Sequence, residues 1–233
     1  MSKKLKLDQS IEVAEATREA KKHGGFIAGL FEAETRSSYF PSSYPEPSKE
    51  ANDFFHALKQ LLAEKVNPEV IDNEGDIPEE VISELRKIKA FGIKIPQKHG
   101  GHGLSQSDYH RIAVLIGGHD SSITALISAH NSIGVPEPLK QFGNPEQKER
   151  FLPRLASGEI SGFALTEEGA GCDISQIKTY ALRVKQNGKA VGYRLNGRKL
   201  YTTNAPKNNE EFLASLLVVI ARLVDSPEEI HDP

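Results

Sequence analysis

Three features of the sequence predict an α+β fold, with an all-α N-terminal domain over residues 1–160 and a β domain over residues 161–233. Apolar residues recur at helical spacing through the first part of the chain. From Gly162 the period shortens from about 3.6 to about 2, the helix and strand values. Two Asn-Gly pairs, Asn187-Gly188 and Asn196-Gly197, then mark type I′ hairpin turns. The 233 residues are 38% hydrophobic and 26% charged, which suits one large globular domain or two small ones.

Residues 8–30 carry an amphipathic pattern, interrupted near Gly24 and Gly25. Residues 35–48 form a turn-rich connector. Pro41, Pro45 and Pro47 forbid a helix there, and Tyr39, Phe40 and Tyr44 give the connector something to pack with. A helix over 49–66 follows from Phe54, Phe55, Leu58, Leu61 and Leu62, and Asn67-Pro68 stops it. Pro78 opens another, with Val81, Ile82, Leu85 and Ile88 as its stripe. Phe91 to Pro96 reads as a short extended piece closed by its proline, and Gly100, Gly101 and Gly103 make a loop. Ser105 and Asp108 have capping-box spacing, so a helix begins there with Tyr109, Ile112, Ala113, Leu115 and Ile116 inward. After Gly117-Gly118 a second helix carries Ile123, Leu126, Ile127 and His130 on one face. Asn144-Pro145-Glu146-Gln147 starts a helix running to about Ser157, bent at Pro153. In the β part, Tyr180, Leu182 and Val184 alternate with Ala181, Arg183 and Lys185, and Leu216 to Val224 is a further strand.

Composition removes several classes. The formal charge of −3 argues against a broad basic face for nucleic acid. Cys172 is the single cysteine, so no internal disulfide forms and no cysteine pair supports zinc. His99, His102 and His110 lack metal-ligand spacing, and no metal site is expected. His130, on an apolar face, reads as a core histidine. The longest apolar stretch, Leu216 to Ala221, is far short of a membrane span. The basic start (Lys3, Lys4, Lys6) has no apolar segment after it, and Asp8, Glu12 and Glu15 argue against a transit peptide. The expected location is cytoplasmic, or the mitochondrial matrix in a eukaryote.

Two runs carry the chemistry. Phe163-Ala-Leu-Thr-Glu-Glu-Gly-Ala-Gly-Cys-Asp-Ile-Ser-Gln-Ile-Lys178 is a strand end followed by a glycine loop. Gly169 and Gly171 permit backbone N–H groups to point at an anion, with the Thr166 hydroxyl beside them. Two glycines alone are more often a turn. Leu195-Asn-Gly-Arg-Lys-Leu-Tyr-Thr-Thr-Asn204 reads as a hairpin turn leading into a strand with an aromatic and two hydroxyls. An ordinary strand has the same pattern.

Taken together and in this order, the runs resemble the acyl-CoA dehydrogenase family. Its middle-domain signature is Ala-Leu-Thr-Glu-Pro-Gly-Ala-Gly-Ser-Asp, then Ile-Lys-Thr, then an Asn-Gly-x-Lys-x-Trp-Ile-Thr-Asn segment. Here the residues are Ala164 to Asp173, Ile177-Lys178-Thr179 and Asn196 to Asn204. Phe142 to Gly158 is similar to the family's linker helix, and Phe91 to Pro96 with its glycine loop is similar to another family segment. Gly118-His-Asp120, Ala129 to Gly134 and Phe26 to Phe31 look most like the very-long-chain branch, whose N-terminal helices border the acyl tunnel.

The resemblance implies a β-barrel or sandwich middle domain, with the family's C-terminal helical bundle absent. It implies FAD against the β domain and a fatty acyl-CoA, long-chain favoured, on the other face of the flavin. By position, Phe163, Leu165 and Thr166 would touch the flavin ring, and Gly171 and Cys172 would sit by the pyrophosphate. Tyr201 would lie against the ring, and Thr203 would hydrogen-bond near the flavin N5. Hydroxyl and amide donors there would stabilise the charge gained on hydride acceptance. The sequence departs from the signature at Glu168 for Pro, Cys172 for Ser, Tyr201 for Trp and Ala205 for Gly.

The implied reaction is α,β-dehydrogenation of a fatty acyl-CoA to the trans-2-enoyl-CoA in fatty-acid β-oxidation, with an electron-transfer flavoprotein as acceptor. The catalytic glutamate belongs to the C-terminal domain, so no catalytic residue is named, and the abrupt tail Asp225 to Pro233 reads as that of a fragment. The family is usually homo-oligomeric through that same domain. Two other readings are a non-catalytic homologue or interaction module with degraded FAD and acyl-CoA binding, and a relative with monooxygenase or nitroalkane-oxidase chemistry.

Overall fold

The computed structural model describes residues 45–205, 213–226 and 229. The chain divides into two compact units, Met1–Glu46 and Pro47–Pro233, and the fold below is that of the second. The amphipathic segment 8–30, the run Phe26 to Phe31 and most of the connector 35–48 lie outside the described residues.

Helix α1 runs Lys49–Lys65, entered through Ser48, whose Oγ accepts the Ala51 N–H at 3.0 Å. Phe54, Leu58, Leu61 and Leu62 bury its apolar stripe. At about 1.5–3 kcal/mol per fully buried large side chain, packing outweighs intrinsic propensity in holding this helix. Asn67-Pro68 both ends α1 and begins α2 (Pro68–Glu74): Asn67 Oδ1 accepts the Glu69 and Val70 N–H groups, and Pro68 opens the first turn. The sequence pattern predicts only the stop, although Asn-Pro punctuates in both directions. Helix α3 (Glu79–Lys87) buries Val81, Ile82 and Leu85, with Pro78 just before its first turn. Helix α4 (Gln106–Gly117) is capped as expected, Ser105 Oγ accepting the Asp108 N–H at 3.1 Å. Helix α5 (Ser121–Ser128) starts at Asp120 and continues as a π-helical turn over Ala129–Ile133. Helix α6 (Pro136–Phe142) is a further short helix. Helix α7 (Pro145–Ala156) has the full capping box between Asn144 and Gln147 and runs through Pro153.

The stripes of α1, α3, α4 and α5 meet in one core around Leu58, Leu85, Ile112 and Ile123. Phe91, Ile93 and Ile95, each 0% exposed, belong to the packed interior too. The stretch Phe91 to Pro96 is not the extended piece expected. It begins inside a 3₁₀ turn at Ala90–Gly92. The Gly92, Ile93 and Ile95 carbonyls accept the N–H groups of His102, Leu104 and Gly103 at 2.9, 2.9 and 2.8 Å. The run therefore coils against the glycine loop and finds its partners there instead of in a sheet. Gly101 permits this approach: a Cβ on it would stand 2.2 Å from the Ile95 carbonyl oxygen.

Strand β1 (Ile160–Ala164) starts inside the helical core through Ile160. Strands β2 (Tyr180–Gln186) and β3 (Lys189–Asn196) form the expected hairpin, with Asn187 at φ 50° and Gly188 at φ 75°. The expected strand Leu216 to Val224 is two strands, β4 (Ala214–Val219) and β5 (Arg222–Val224). β4 pairs in parallel with β1, and β5 pairs in parallel with β2. An apolar run alone cannot show that its two ends serve different sheets. The described strands form one two-stranded and one three-stranded sheet, and no closed barrel is present among the described residues. Asn196-Gly197 is not a hairpin. Gly197, at φ 153°, passes so close to Thr179 that a Cβ would lie 2.2 Å from its Oγ1. The chain then leaves the sheet as a loop, and Tyr201 to Asn204 is not a strand. Among the described residues, no helix is long and apolar enough to cross a membrane.

Candidate functional site

The two chemical runs, far apart in sequence, meet at the end of β1. The Leu200 N–H donates to the Thr166 carbonyl at 2.9 Å. Lys199 Nζ donates to the Leu165 carbonyl at 2.9 Å and to Glu167 Oε1 at 2.7 Å. Glu167 also accepts the Lys178 N–H at 2.7 Å and the Thr179 N–H at 3.0 Å. One carboxylate thus joins the glycine loop, the segment after it and the second run. Its side chain is 7% exposed and that of Lys199 10%. Burial opposes the charge on Glu167. The Lys199 ammonium, the Thr179 side chain and the two amides outweigh it and lower the pKa to about 2. Nothing in the local sequence singles out this pair, although Glu167 stands in the first run and Lys199 in the second.

Beyond Glu167 the loop turns tightly: Glu167 and Ala170 exchange backbone hydrogen bonds at 2.9 and 3.2 Å. Gly169 and Gly171 stand at its exposed crown, where a Cβ would meet nothing within 4 Å. Cys172 is exposed beside them. A cleft of about 280 Å³ opens between the runs, with Lys178 and Arg198 on its walls as well as Glu167 and Glu168.

On the strand side, Phe163, Leu165 and Thr166 are half-buried. Tyr201 is 91% exposed at φ 54°. Thr203 is exposed in the turn that follows. That turn lies directly on β1: a Cβ on Gly162 would stand 2.7 Å from the Thr203 carbonyl oxygen. The second run therefore lies along β1, with Leu200 at Thr166 beyond the strand's end and the Thr202-Thr203 turn at Gly162. Gly171, Cys172 and Tyr201 are exposed. Hydroxyl donors, an open glycine crown and an exposed aromatic ring suit a planar ligand that accepts hydrogen bonds and carries anionic groups.

His130 is a core residue, 0% exposed. Its Nδ1 accepts the Ser161 N–H at 3.0 Å. Burial lowers its pKa to about 4, against a smaller opposing effect of the Phe91 backbone. His99 is buried with Nδ1 3.8 Å from Glu149. Among the described residues, no three His, Cys, Asp or Glu side chains gather into a metal-binding group.

Comparison with known proteins shows what the chain is similar to. Residues 48–159 match the acyl-CoA dehydrogenase N-terminal domain. A Mycobacterium tuberculosis protein named "Probable acyl-CoA dehydrogenase FadE10" is 40% identical over 220 residues, 91% of this chain and 32% of that protein. The mitochondrial very long-chain specific acyl-CoA dehydrogenase of Rattus norvegicus is 34% identical over 227 residues, 94% of this chain and 32% of that protein. Among solved structures, an acyl-CoA dehydrogenase of Bacillus anthracis complexed with FAD superposes with a TM-score of 0.62 at 28% identity, covering 78% of this chain and 30% of that one. Residues 48–159 are thus an acyl-CoA dehydrogenase N-terminal domain, and the chain is similar to acyl-CoA dehydrogenases over the portion it spans. It spans about a third of the length of these curated relatives.

Proposed function

We propose that the chain binds FAD at the junction of its two runs and takes part in the α,β-dehydrogenation of a fatty acyl-CoA to the trans-2-enoyl-CoA. The observation that carries this reading is the meeting of the runs at β1, through Leu200 on Thr166, Lys199 on Glu167 and the Thr203 turn over Gly162. The donor set fits the group: Thr166 follows β1, the Thr203 turn lies on β1 at Gly162, and Gly169 and Gly171 of the glycine loop are open. FAD held there would supply a hydride acceptor for the substrate β-carbon, with the α-proton going to a base. Phe163 and Leu165 would pack against the ring and Tyr201 would cover it. Thr166 and Thr203 would donate to its polar edge, with Thr203 near N5. The Gly171 and Cys172 backbone would receive the pyrophosphate.

The proposed substrate is a long-chain acyl-CoA and the proposed electron acceptor an electron-transfer flavoprotein. A homo-oligomer and a division into a helical domain through residue 160 and a β domain from 161 accompany this reading. A second reading, a non-catalytic homologue or interaction module, is favoured by Glu168, whose exposed carboxylate stands beside the glycine crown where a pyrophosphate would lie. The test is a visible absorption spectrum of the purified chain after incubation with FAD and removal of free flavin. A retained flavin band with protein-shifted fine structure is expected. A colourless protein would overturn the first reading in favour of the second.

A further inference from the structure

Asn204 occupies a junction of three elements. Its Nδ2 donates to the Ser161 carbonyl on β1 at 3.0 Å and lies 3.4 Å from the Leu126 carbonyl on α5. Its own carbonyl accepts the Ala214 N–H, the first residue of β4, at 2.9 Å. Its φ is 68°, a conformation that asparagine tolerates better than most residues. Ser161 is in turn locked from behind. Its N–H donates to buried His130 Nδ1 at 3.0 Å, and its Oγ accepts the Val135 N–H at 3.1 Å. A chain of hydrogen bonds therefore runs from the helical core through His130 and Ser161 to the residue that ends the Thr202-Thr203 turn. On the other side of β1's backbone, Gly162 lets the Thr203 carbonyl come within the reach of a Cβ.

We infer that Asn204 is a positioning residue, whose amide holds the Thr202-Thr203 turn on β1 at Ser161 and Gly162 and so fixes where the Thr203 hydroxyl stands. This rests on the flavin reading above. Asn204 has no expected contact with the flavin itself; it acts through Thr203. Losing the amide frees the turn, because nothing else on its side chain replaces the bond to Ser161.

The test uses Asn204→Gly, which keeps the left-handed backbone accessible and removes the side chain that carries the amide. FAD retention and the shape of the flavin visible band are compared among wild type, Asn204→Gly, Thr203→Val and the double variant, with Leu58→Ala as a remote destabilised control. Asn204→Gly is expected to weaken FAD binding about tenfold, the order of one hydrogen bond. It should also move the band toward that of free flavin. The double variant should be no weaker than Thr203→Val alone, since the two act as one unit. A purely structural role predicts instead that Asn204→Gly behaves like Leu58→Ala, with lower stability and an unshifted band, and that result overturns the inference. Amide exchange at Ala205 and Ala214, measured without flavin, reads the turn directly: faster exchange in Asn204→Gly supports positioning and unchanged exchange overturns it. If the wild type retains no FAD, the flavin reading fails, and the exchange measurement still decides whether Asn204 orders the turn.

Discussion

Glu167 and Lys199, 32 residues apart, form an ion pair at 2.7 Å with both side chains largely removed from solvent. The pair closes a ring. Lys199 also holds the Leu165 carbonyl at the end of β1, and Glu167 holds two amides after the glycine loop. Four hydrogen bonds on two charges hold the loop, the strand end and the second run in a single arrangement. A charge so placed is expensive to leave alone.

Lys199→Met should therefore destabilise the chain by about 3 kcal/mol, because it strands the Glu167 carboxylate. Glu167→Gln in the same background should recover part of the loss, since a neutral amide needs no countercharge. Urea unfolding of the two variants checks this. A double variant less stable than Lys199→Met alone would show that the carboxylate is not the source of the penalty.

Acid should unfold the protein in two overlapping steps. His130 has its pKa lowered from 6.5 to about 4 by burial, so the folded state resists protonation. The stability tied to neutral His130 is complete above pH 6.5 and falls by about 1.4 kcal/mol per pH unit as pH drops toward 4. Glu167 has its pKa lowered from 4.5 to about 2, so its contribution is complete above pH 4.5 and is lost as pH falls toward 2. Denaturant midpoints measured from pH 7 to pH 3 should decline already between pH 6.5 and 5 in wild type. A His130→Gln variant should be flat in that interval.

Gly162→Ala adds a methyl 2.7 Å from the Thr203 carbonyl oxygen, with Leu217 Cδ2 at 3.1 Å. The backbone contact must give way, because the turn cannot rotate off as a side-chain tip could. The expected cost is about 1–3 kcal/mol in thermal or urea unfolding. FAD retention should fall by more than the stability loss explains. Equal retention at equal folded fraction would show that the turn's seat on β1 does not matter to the ligand.

Tyr201→Ala should leave stability within about 0.5 kcal/mol, because the ring is 91% exposed and packs on little. The same change should reduce FAD retention, since the ring's proposed role is to cover a ligand. Flavin titration by fluorescence quenching, with melting temperature measured in parallel, separates the two effects. A large drop in melting temperature would mean that Tyr201 packs in the apo protein.

The helical part was legible wherever apolar periodicity coincided with a cap. Ser105, Asn144 and the stripes Phe54-Leu58-Leu62 and Ile123-Ile127 carry their own local evidence, since the pattern and the cap lie within a turn or two of each other. The hairpin at Asn187-Gly188 was legible for the same reason. Asn196-Gly197 shows the limit: the same dipeptide ends a strand without returning, because Gly197 answers to Thr179 across the fold.

By itself the sequence determined the capped helices, the Asn187-Gly188 hairpin, the buried His130 and the resemblance to acyl-CoA dehydrogenases, because each rests on local pattern or on motif residues in fixed order. Only the tertiary structure decided that Phe91 to Pro96 coils onto its glycine loop and that Leu216 to Val224 splits between two sheets. It alone joined Glu167 to Lys199 and Asn204 to Ser161. These are long-range choices of hydrogen-bond partner. A backbone group or a carboxylate must find some partner when it leaves water, but local sequence does not say which of the distant candidates the packed chain will bring to it.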